Sequence, residues 1–364
     1  MPIKKMIVTD FRNFKSQTLQ FSDGINIFFG VNGAGKTSVL EALNFALTGR
    51  SFRTSNIKST IRENADKTIV FVQASDKQKN VLYNIGVEKS FHATLMKLNN
   101  LDVSSFADLA RILPVQVVEP SNLNLLEGAP EGRRRYLDWL VFHVEHEFSH
   151  QWKRYKNILK QRNSLLRRGK MEPLELDVWD TQLASYGEYI SESRQKNLEE
   201  LQPFFSKYLN IFGLASIGST TFKYVKGWEM NSTLLESLKS SRENDIRKAH
   251  TKSGPHRSDI RIELSGKPAG EVLSRGQQKV FCVCMKLAQC DYLRLRSGKE
   301  SVFLLDDIAS ELDSLNLEKV YESLQELNAQ VLLTSIQAPD IPTSQIKRSN
   351  TVFHVEHGII SQKN

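Results

Sequence analysis

Gly30-Val31-Asn32-Gly33-Ala34-Gly35-Lys36-Thr37 fits the pattern GxxxxGK[ST] at every fixed position. It lies between a short apolar run, Gly24-Ile25-Asn26-Ile27-Phe28-Phe29, and a segment, Lys36–Leu47, with helical spacing of its apolar residues. Strand, glycine-rich turn and helix form the context in which such a loop cradles phosphate. Gly30, Gly33 and Gly35 permit backbone turns that aim successive N–H groups at phosphate oxygens, and the following helix adds the positive end of its dipole. The predicted nucleotide contact runs from Gly30 through Val31, Asn32, Gly33, Ala34, Gly35, Lys36 and Thr37 to Ser38. Lys36 neutralises charge on the β- and γ-phosphates, and the Thr37 hydroxyl ligates Mg2+.

A second phosphate-site signature, Leu273-Ser274-Arg275-Gly276-Gln277-Gln278, places Ser274 237 residues after Thr37. After it comes the apolar run Val302-Phe303-Leu304-Leu305, ending in Asp306-Asp307. In a P-loop ATPase this acidic strand end supplies Asp306 to the magnesium shell and Asp307 to orient or deprotonate the attacking water. Asp307 is a methylene shorter than the glutamate usual there, so slow turnover is expected. Ser274 stands where it can N-cap a helix. Alternatively, Ser274 with the Gly276 amide and Gln277 binds a γ-phosphate at that helix N-terminus. With the P-loop on one side of a nucleotide, the second anion site serves a nucleotide held by another copy, and ATP becomes glue between two heads.

The spacing predicts a large insertion. From Arg135 the apolar positions Leu137, Val141, Val144, Phe148, Trp152, Tyr155, Leu159 and Leu166 recur at threes and fours. Arg168-Gly169-Lys170-Met171-Glu172-Pro173 breaks the run, and a second series extends from Leu176 to Phe212 with Pro203 predicting a kink. Two long amphipathic helices joined by a short turn make an antiparallel hairpin. On either side, period-2 segments (Ile3–Thr9, Thr18–Phe21, Thr68–Val72, Val81–Val87, Phe91–Leu95) predict antiparallel pairing, and strands alternating with helices after residue 260 predict a largely parallel, helix-covered sheet. The expected division is 1–118, head with P-loop; 119–250, helical insertion; and 251–364, head with signature and acidic strand.

Composition excludes several classes. The 364 residues are 40% apolar and 25% charged, without an apolar run long enough to span a bilayer, and the start lacks a signal peptide's apolar core. Three cysteines do not make a disulfide framework, so a cytoplasmic location is expected. The net charge of +8 is concentrated: residues 131–170 hold eleven Lys/Arg against four Asp/Glu. Such a stretch suits a nucleic-acid backbone, and Arg133, Arg134, Arg135, Lys153, Lys160 and Arg162 are the candidate DNA contacts. The plainer reading of a charge run is a solvated helix face. His143, His146 and His150 share a helix face without a fourth ligand, and Cys282, Cys284 and Cys290 read as core thiols; neither set predicts a metal site.

Along its whole length the chain resembles the RecF family of recombination-repair ATPases, relatives of the SMC and ABC ATPases. The resemblance rests on Asp10-Phe11-Arg12-Asn13-Phe14, the P-loop, Asp138-Trp139, Lys160-Gln161-Arg162-Asn163, Gly254-Pro255-His256-Arg257, Ser274–Gln278 and Leu305-Asp306-Asp307-Ile308-Ala309-Ser310-Glu311-Leu312-Asp313. It implies an α/β fold: an ABC-type P-loop head with a mixed, helix-covered sheet and an inserted helical lobe. It also implies ATP and Mg2+ as cofactors and an ATP-dependent homodimer clamped on DNA near single-strand gaps or junctions. Weak DNA-stimulated hydrolysis would release the clamp, the mediators RecO and RecR would be partners, and no membrane would be involved. By resemblance Gln116 senses magnesium and γ-phosphate, Arg12 and Asn13 contact the nucleotide, and Ser310–Asp313 touches the opposite nucleotide. Two departures stand out: Ser258 replaces the first of two usual acids, and Thr334-Ser335 stand where a switch histidine is expected. Two other readings use the same phosphate chemistry. The motor subunit of an ABC transporter normally spaces its motifs about half as far apart and lacks a basic hairpin, and a small-metabolite kinase leaves Ser274–Gln278 unexplained.

Overall fold

In a computed structural model of the chain, residues 1–76, 79–120, 125–168, 173–337 and 350–363 are described. The strands in chain order are β1 (Ile3–Phe11), β2 (Phe14–Gln20), β3 (Ile25–Phe29), β4 (Lys67–Asp76), β5 (Val81–Ser90), β6 (Thr94–Leu98), β7 (Leu101–Asp102), β8 (Val115–Val118), β9 (Thr220–Val225), β10 (Asp259–Leu264), β11 (Lys267–Pro268), β12 (Val302–Leu305), β13 (Gln330–Ser335), β14 (Thr351–Glu356) and β15 (Ile359–Lys363). The helices are α1 (Lys36–Thr48), α2 (Phe106–Ile112), α3 (Pro130–Val144), α4 (Phe148–Arg168), α5 (Pro173–Ile211), α6 (Leu234–Ser240), α7 (Arg242–Lys248), α8 (Ala269–Val272), α9 (Arg275–Ser297) and α10 (Ser314–Glu326).

The chain divides into two compact units, residues 1–123 with 279–364, and residues 124–278. The first holds two six-stranded sheets. One is antiparallel, in the order β2-β1-β4-β5-β6-β7, and the other runs β15-β14-β3-β13-β12-β8 with only β15 antiparallel to its neighbour. The strands of the parallel part read as near-continuous apolar runs because both faces are covered. Helix α1 packs against strands of both sheets, so every residue from Ser38 to Leu47 is buried. A helix buried on all sides needs neighbours on every face. Phe28 and Phe353 stack at 4.8 Å across the adjacent strands β3 and β14.

The second unit holds the helical insertion and a three-stranded sheet, β11-β10-β9. The apolar series predicted as one helix from Arg135 is two, α3 and α4, separated at Glu145–Glu147. Helix α5 continues through Pro203 to Ile211, and the predicted turn at 169–172 lies outside the described residues. The expected boundary at 251 is corrected. β10 pairs with β9 over six residues, and segment 251–259 is tied to the insertion's helices by buried arginines, so this unit extends to Gln278. Arg162, fully buried, donates to Asp180 at 2.6 Å and to Asp245 and Thr251 at 2.8 Å each. Arg194 grips both oxygens of Asp138 at 2.8 and 2.9 Å, the Pro255 carbonyl at 2.7 Å and the Ser258 hydroxyl at 2.9 Å. Ser258, the departure from the family pattern, is thus a partner for a buried guanidinium.

His256 belongs to the same framework. Its Nδ1 lies 2.6 Å from the Tyr155 hydroxyl and its Nε2 3.2 Å from the Thr251 carbonyl, an arrangement that suits a neutral ring donating from Nε2 and accepting at Nδ1. Burial lowers its pKa from 6.5 to about 4. As pH falls through this window the unfolded chain takes up the proton first, so stability is lost between the two values. By pH 5 the loss amounts to about 2 kcal/mol. His256→Gln should flatten the pH 7-to-5 dependence of unfolding free energy by that amount, measured by urea denaturation of both proteins.

Candidate functional site: a phosphate loop facing an acidic strand end

Parallel register places the site's groups. Leu305 pairs with Leu333, and Thr334 pairs with Phe28, so β13 lies between the strand that feeds the P-loop and the strand that ends in Asp306. The three strands deliver their C-terminal ends to one edge, where ligands bind in open parallel sheets. Asp306 Oδ1 accepts from the Thr37 hydroxyl at 2.8 Å and from the Thr334 hydroxyl at 2.8 Å. The Thr334 oxygen in turn accepts from the Asp307 N–H at 2.8 Å. Asp307 has φ 51°, a left-handed turn that ends the strand. Burial raises the Asp306 pKa, opposed by the hydroxyls of Thr334 and Thr37. The Lys36 ammonium folds back on the Gly30 and Val31 carbonyls at 2.7 and 3.0 Å. Its pKa is lowered by burial and pulled the other way by the carboxylates of Asp307 and Asp306.

Within the loop, the Ala34 N–H donates to Val31 and the Ser38 N–H to Gly35, whose φ of 114° caps α1. Val31 and Asn32 are exposed, whereas Ser38 is buried. Thr37 and Asp306 form an oxygen pair of the kind that would suit a hard divalent cation. Among the described residues no group of three His, Cys, Asp or Glu is arranged to hold a metal ion.

Several predicted site residues are placed elsewhere. Gln116 pairs in register with Phe303, three residues before Asp306, and strand rise puts it about 10 Å back into the sheet. It is buried, donating to Gln289 at 2.9 Å and accepting from Lys286 at 3.2 Å, so it fits neither a magnesium nor a γ-phosphate contact. The β8 strand instead brings Val118, whose carbonyl accepts from the Asp306 N–H at 2.9 Å. The Arg12 guanidinium is held by Glu41 at 2.6 and 3.0 Å and by the Ser59 carbonyl at 2.8 Å, so it is not offered to a nucleotide. Asn13 reaches the loop itself, donating to the Ala34 carbonyl at 2.9 Å.

Ser274, Gly276 and Gln277 lie in the second unit. There the Ser274 N–H donates to the Gln277 side chain at 2.9 Å and the Ser274 hydroxyl accepts from the Gln277 N–H at 3.4 Å, a capping box at the start of α9. Ser310 bonds the Asp307 carbonyl, and Asp313 caps α10 through the Asn316 N–H at 2.9 Å. Of the candidate DNA contacts, three are corrected. Arg162 is buried as described, and Arg133 grips Asp259 at 2.7 and 2.9 Å as well as two carbonyls. Arg134 is half-buried and donates to the Ser258 carbonyl at 2.8 Å. Arg135, Lys153 and Lys160 are exposed, the first beside Glu131. Thr334 and Glu41 carried no sequence pattern of their own; Thr334 was visible only as the residue in place of a histidine.

Fold and site together define a P-loop head of the ABC/SMC type. The family model described as RecF/RecN/SMC N terminal domain matches residues 2–361. Proteins named DNA replication and repair protein RecF are similar from end to end. The one from Marinobacter nauticus is 36% identical, covering 100% of both chains, and one from Pseudomonas aeruginosa is 37% identical, covering 100% of this chain and 98% of its own. A solved structure of the recombination mediator protein RecF with ATP, from the RecFOR pathway, superposes with a TM-score of 0.88 at 26% identity, covering 100% of this chain and 97% of that one. An SMC head bound to the C-winged helix domain of ScpA shares the fold, with a TM-score of 0.59 at 15% identity and coverage of 100% and 98%. The chain belongs to the RecF/RecN/SMC family, as one of its RecF members. These relatives do not favour a transporter motor, and no helix among the described residues is long and apolar enough to cross a membrane.

The reassignment of Gln116 has a direct test. Gln116→Leu removes both a donor and an acceptor from a buried network and should lower stability by about 1–3 kcal/mol. Nucleotide affinity should be unchanged, as read by urea unfolding beside equilibrium nucleotide binding.

Proposed function

We propose that the protein is an ATP- and Mg2+-dependent DNA-binding ATPase of replication and recombinational repair, in which two copies close over ATP and clamp DNA near single-strand gaps or junctions. The observation that carries this reading is the convergence of Thr37 and Thr334 on one oxygen of Asp306, with Lys36 and Asp307 beside it. Magnesium, held by Thr37 and through water by Asp306, would neutralise phosphate charge there. Lys36, released from the Gly30 and Val31 carbonyls, meets the β- and γ-phosphates. Asp307, its backbone fixed by Thr334, orients the water, and its short side chain keeps turnover slow. Ser274 and Gly276, exposed at the first turn of α9, close on the γ-phosphate bound by the other copy. RecO and RecR fit as partners because a RecF with ATP belongs to the RecFOR pathway. A cytoplasmic location fits DNA repair.

DNA contact falls to the exposed side of α4. At 100° per residue, Lys153, Lys156, Lys160 and Arg167 lie within about a 60° arc over about 21 Å of helix, a cationic stripe suited to successive phosphates. All four are exposed.

Lys36→Met should abolish ATP binding and ATP-driven dimerisation. Ser274→Arg should bind ATP normally yet sediment as a monomer with ATP and lose hydrolysis; a Ser274→Arg protein that dimerises and turns over normally would defeat the shared-site reading. Lys153→Glu with Lys160→Glu should weaken DNA binding and reduce the slope of log K against log salt by about 2, checked by salt titration.

A further inference from the structure

The Ala34 carbonyl, in the middle of the phosphate loop, accepts two hydrogen bonds from distant parts of the chain. One comes from the Asn13 side-chain amide in the β1–β2 turn at 2.9 Å, the other from the Gly358 N–H in the β14–β15 turn at 3.1 Å. The two anchors also brace each other. Gly358 has φ 77°, and a Cβ there would meet the Asn13 carbonyl oxygen at 2.5 Å. The Gly358 carbonyl is held by the Gln17 side chain at 3.2 Å. The same C-terminal hairpin presses on the loop's other end, where a Cβ on Gly30 would fall on the Val355 carbonyl, and the His354 ring lies 4.9 Å from Phe29.

A trans peptide carries its C=O and N–H on opposite sides. Fixing the Ala34 carbonyl against Asn13 and Gly358 therefore turns the Gly35 N–H away from both. We propose that Asn13 and the Gly358 turn form a latch that sets this peptide plane, so that the Gly35 N–H is presented to a phosphate oxygen of the nucleotide. This rests on the nucleotide reading above and deepens it, making Asn13 and Gly358 positioning residues that act through the loop. The latch acts on a peptide that ATP and ADP use alike, so it governs affinity for both.

The test is equilibrium binding of ATP and of ADP to the full chain and four variants. Asn13→Leu and Gly358→Ala should each weaken both nucleotides by about three- to tenfold, and by the same factor for each. Asn13→Gln, which keeps an amide donor, should retain most of the affinity that Asn13→Leu loses. The double variant Asn13→Leu/Gly358→Ala should lose less than the product of the single losses, because both act on one carbonyl. Should Gly358→Ala fail to fold, the contrast of Asn13→Leu with Asn13→Gln decides. Variants that bind as tightly as wild type, or single losses that multiply fully, would overturn the latch alone. A wild-type chain that binds neither nucleotide would overturn the nucleotide reading and the latch with it.

Discussion

One carboxylate oxygen organises the head. Asp306 Oδ1 takes a hydroxyl from Thr37, 269 positions away in the chain, and another from Thr334. Three adjacent parallel strands must end level for this to happen, and the register of β3, β13 and β12 sets them level. A slip of one residue in β13 would point Thr334 to the other face of the sheet and remove the contact between loop and acidic strand. The buried α1 depends on the same alignment, because its residues fill the space between the two sheets that this register holds in place.

The second unit is organised by guanidinium groups. Arg162, Arg194 and Arg133 each satisfy two or more partners drawn from segments far apart in sequence, the longest span being 126 residues between Arg133 and Asp259. Buried ion pairs add little to net stability, but leaving one charge without its partner costs several kcal/mol. An alternative packing of these helices would strand at least one charge. The family motifs around Asp138, Arg162 and Gly254–Arg257 therefore read here as the framework of the insertion.

Much of this was legible in the sequence. The P-loop, the acidic strand end and the strand–helix alternation were read from local pattern, because phosphate loops and buried parallel strands are written in contiguous residues. The long helices α4 and α5 were read from their period. What escaped depends on distant pairing. Gln116 resembled a sensor by its neighbours, yet its depth is fixed by register with Phe303. Arg12 resembled a nucleotide contact until Glu41, a full helix turn inside α1, claimed it. The basic run was counted as a single surface, but composition does not distinguish a lysine in water from an arginine facing Asp180. The break at Glu145–Glu147 also escaped, since the apolar spacing passes through it.

Gly276 poses a different question, because nothing among the described residues of its own unit requires it. It stands in the first turn of a 23-residue helix, has no left-handed φ, and a Cβ built there meets nothing within 4 Å. Glycine in a helix costs up to about 1 kcal/mol relative to alanine. Gly358 offers the contrast, since its left-handed φ and its closeness to Asn13 both follow from the chain's own packing. A glycine that the fold does not need, next to an exposed serine at a helix N-terminus, makes sense where a backbone N–H must be approached closely from outside. That is the approach a phosphate held by a second copy would make.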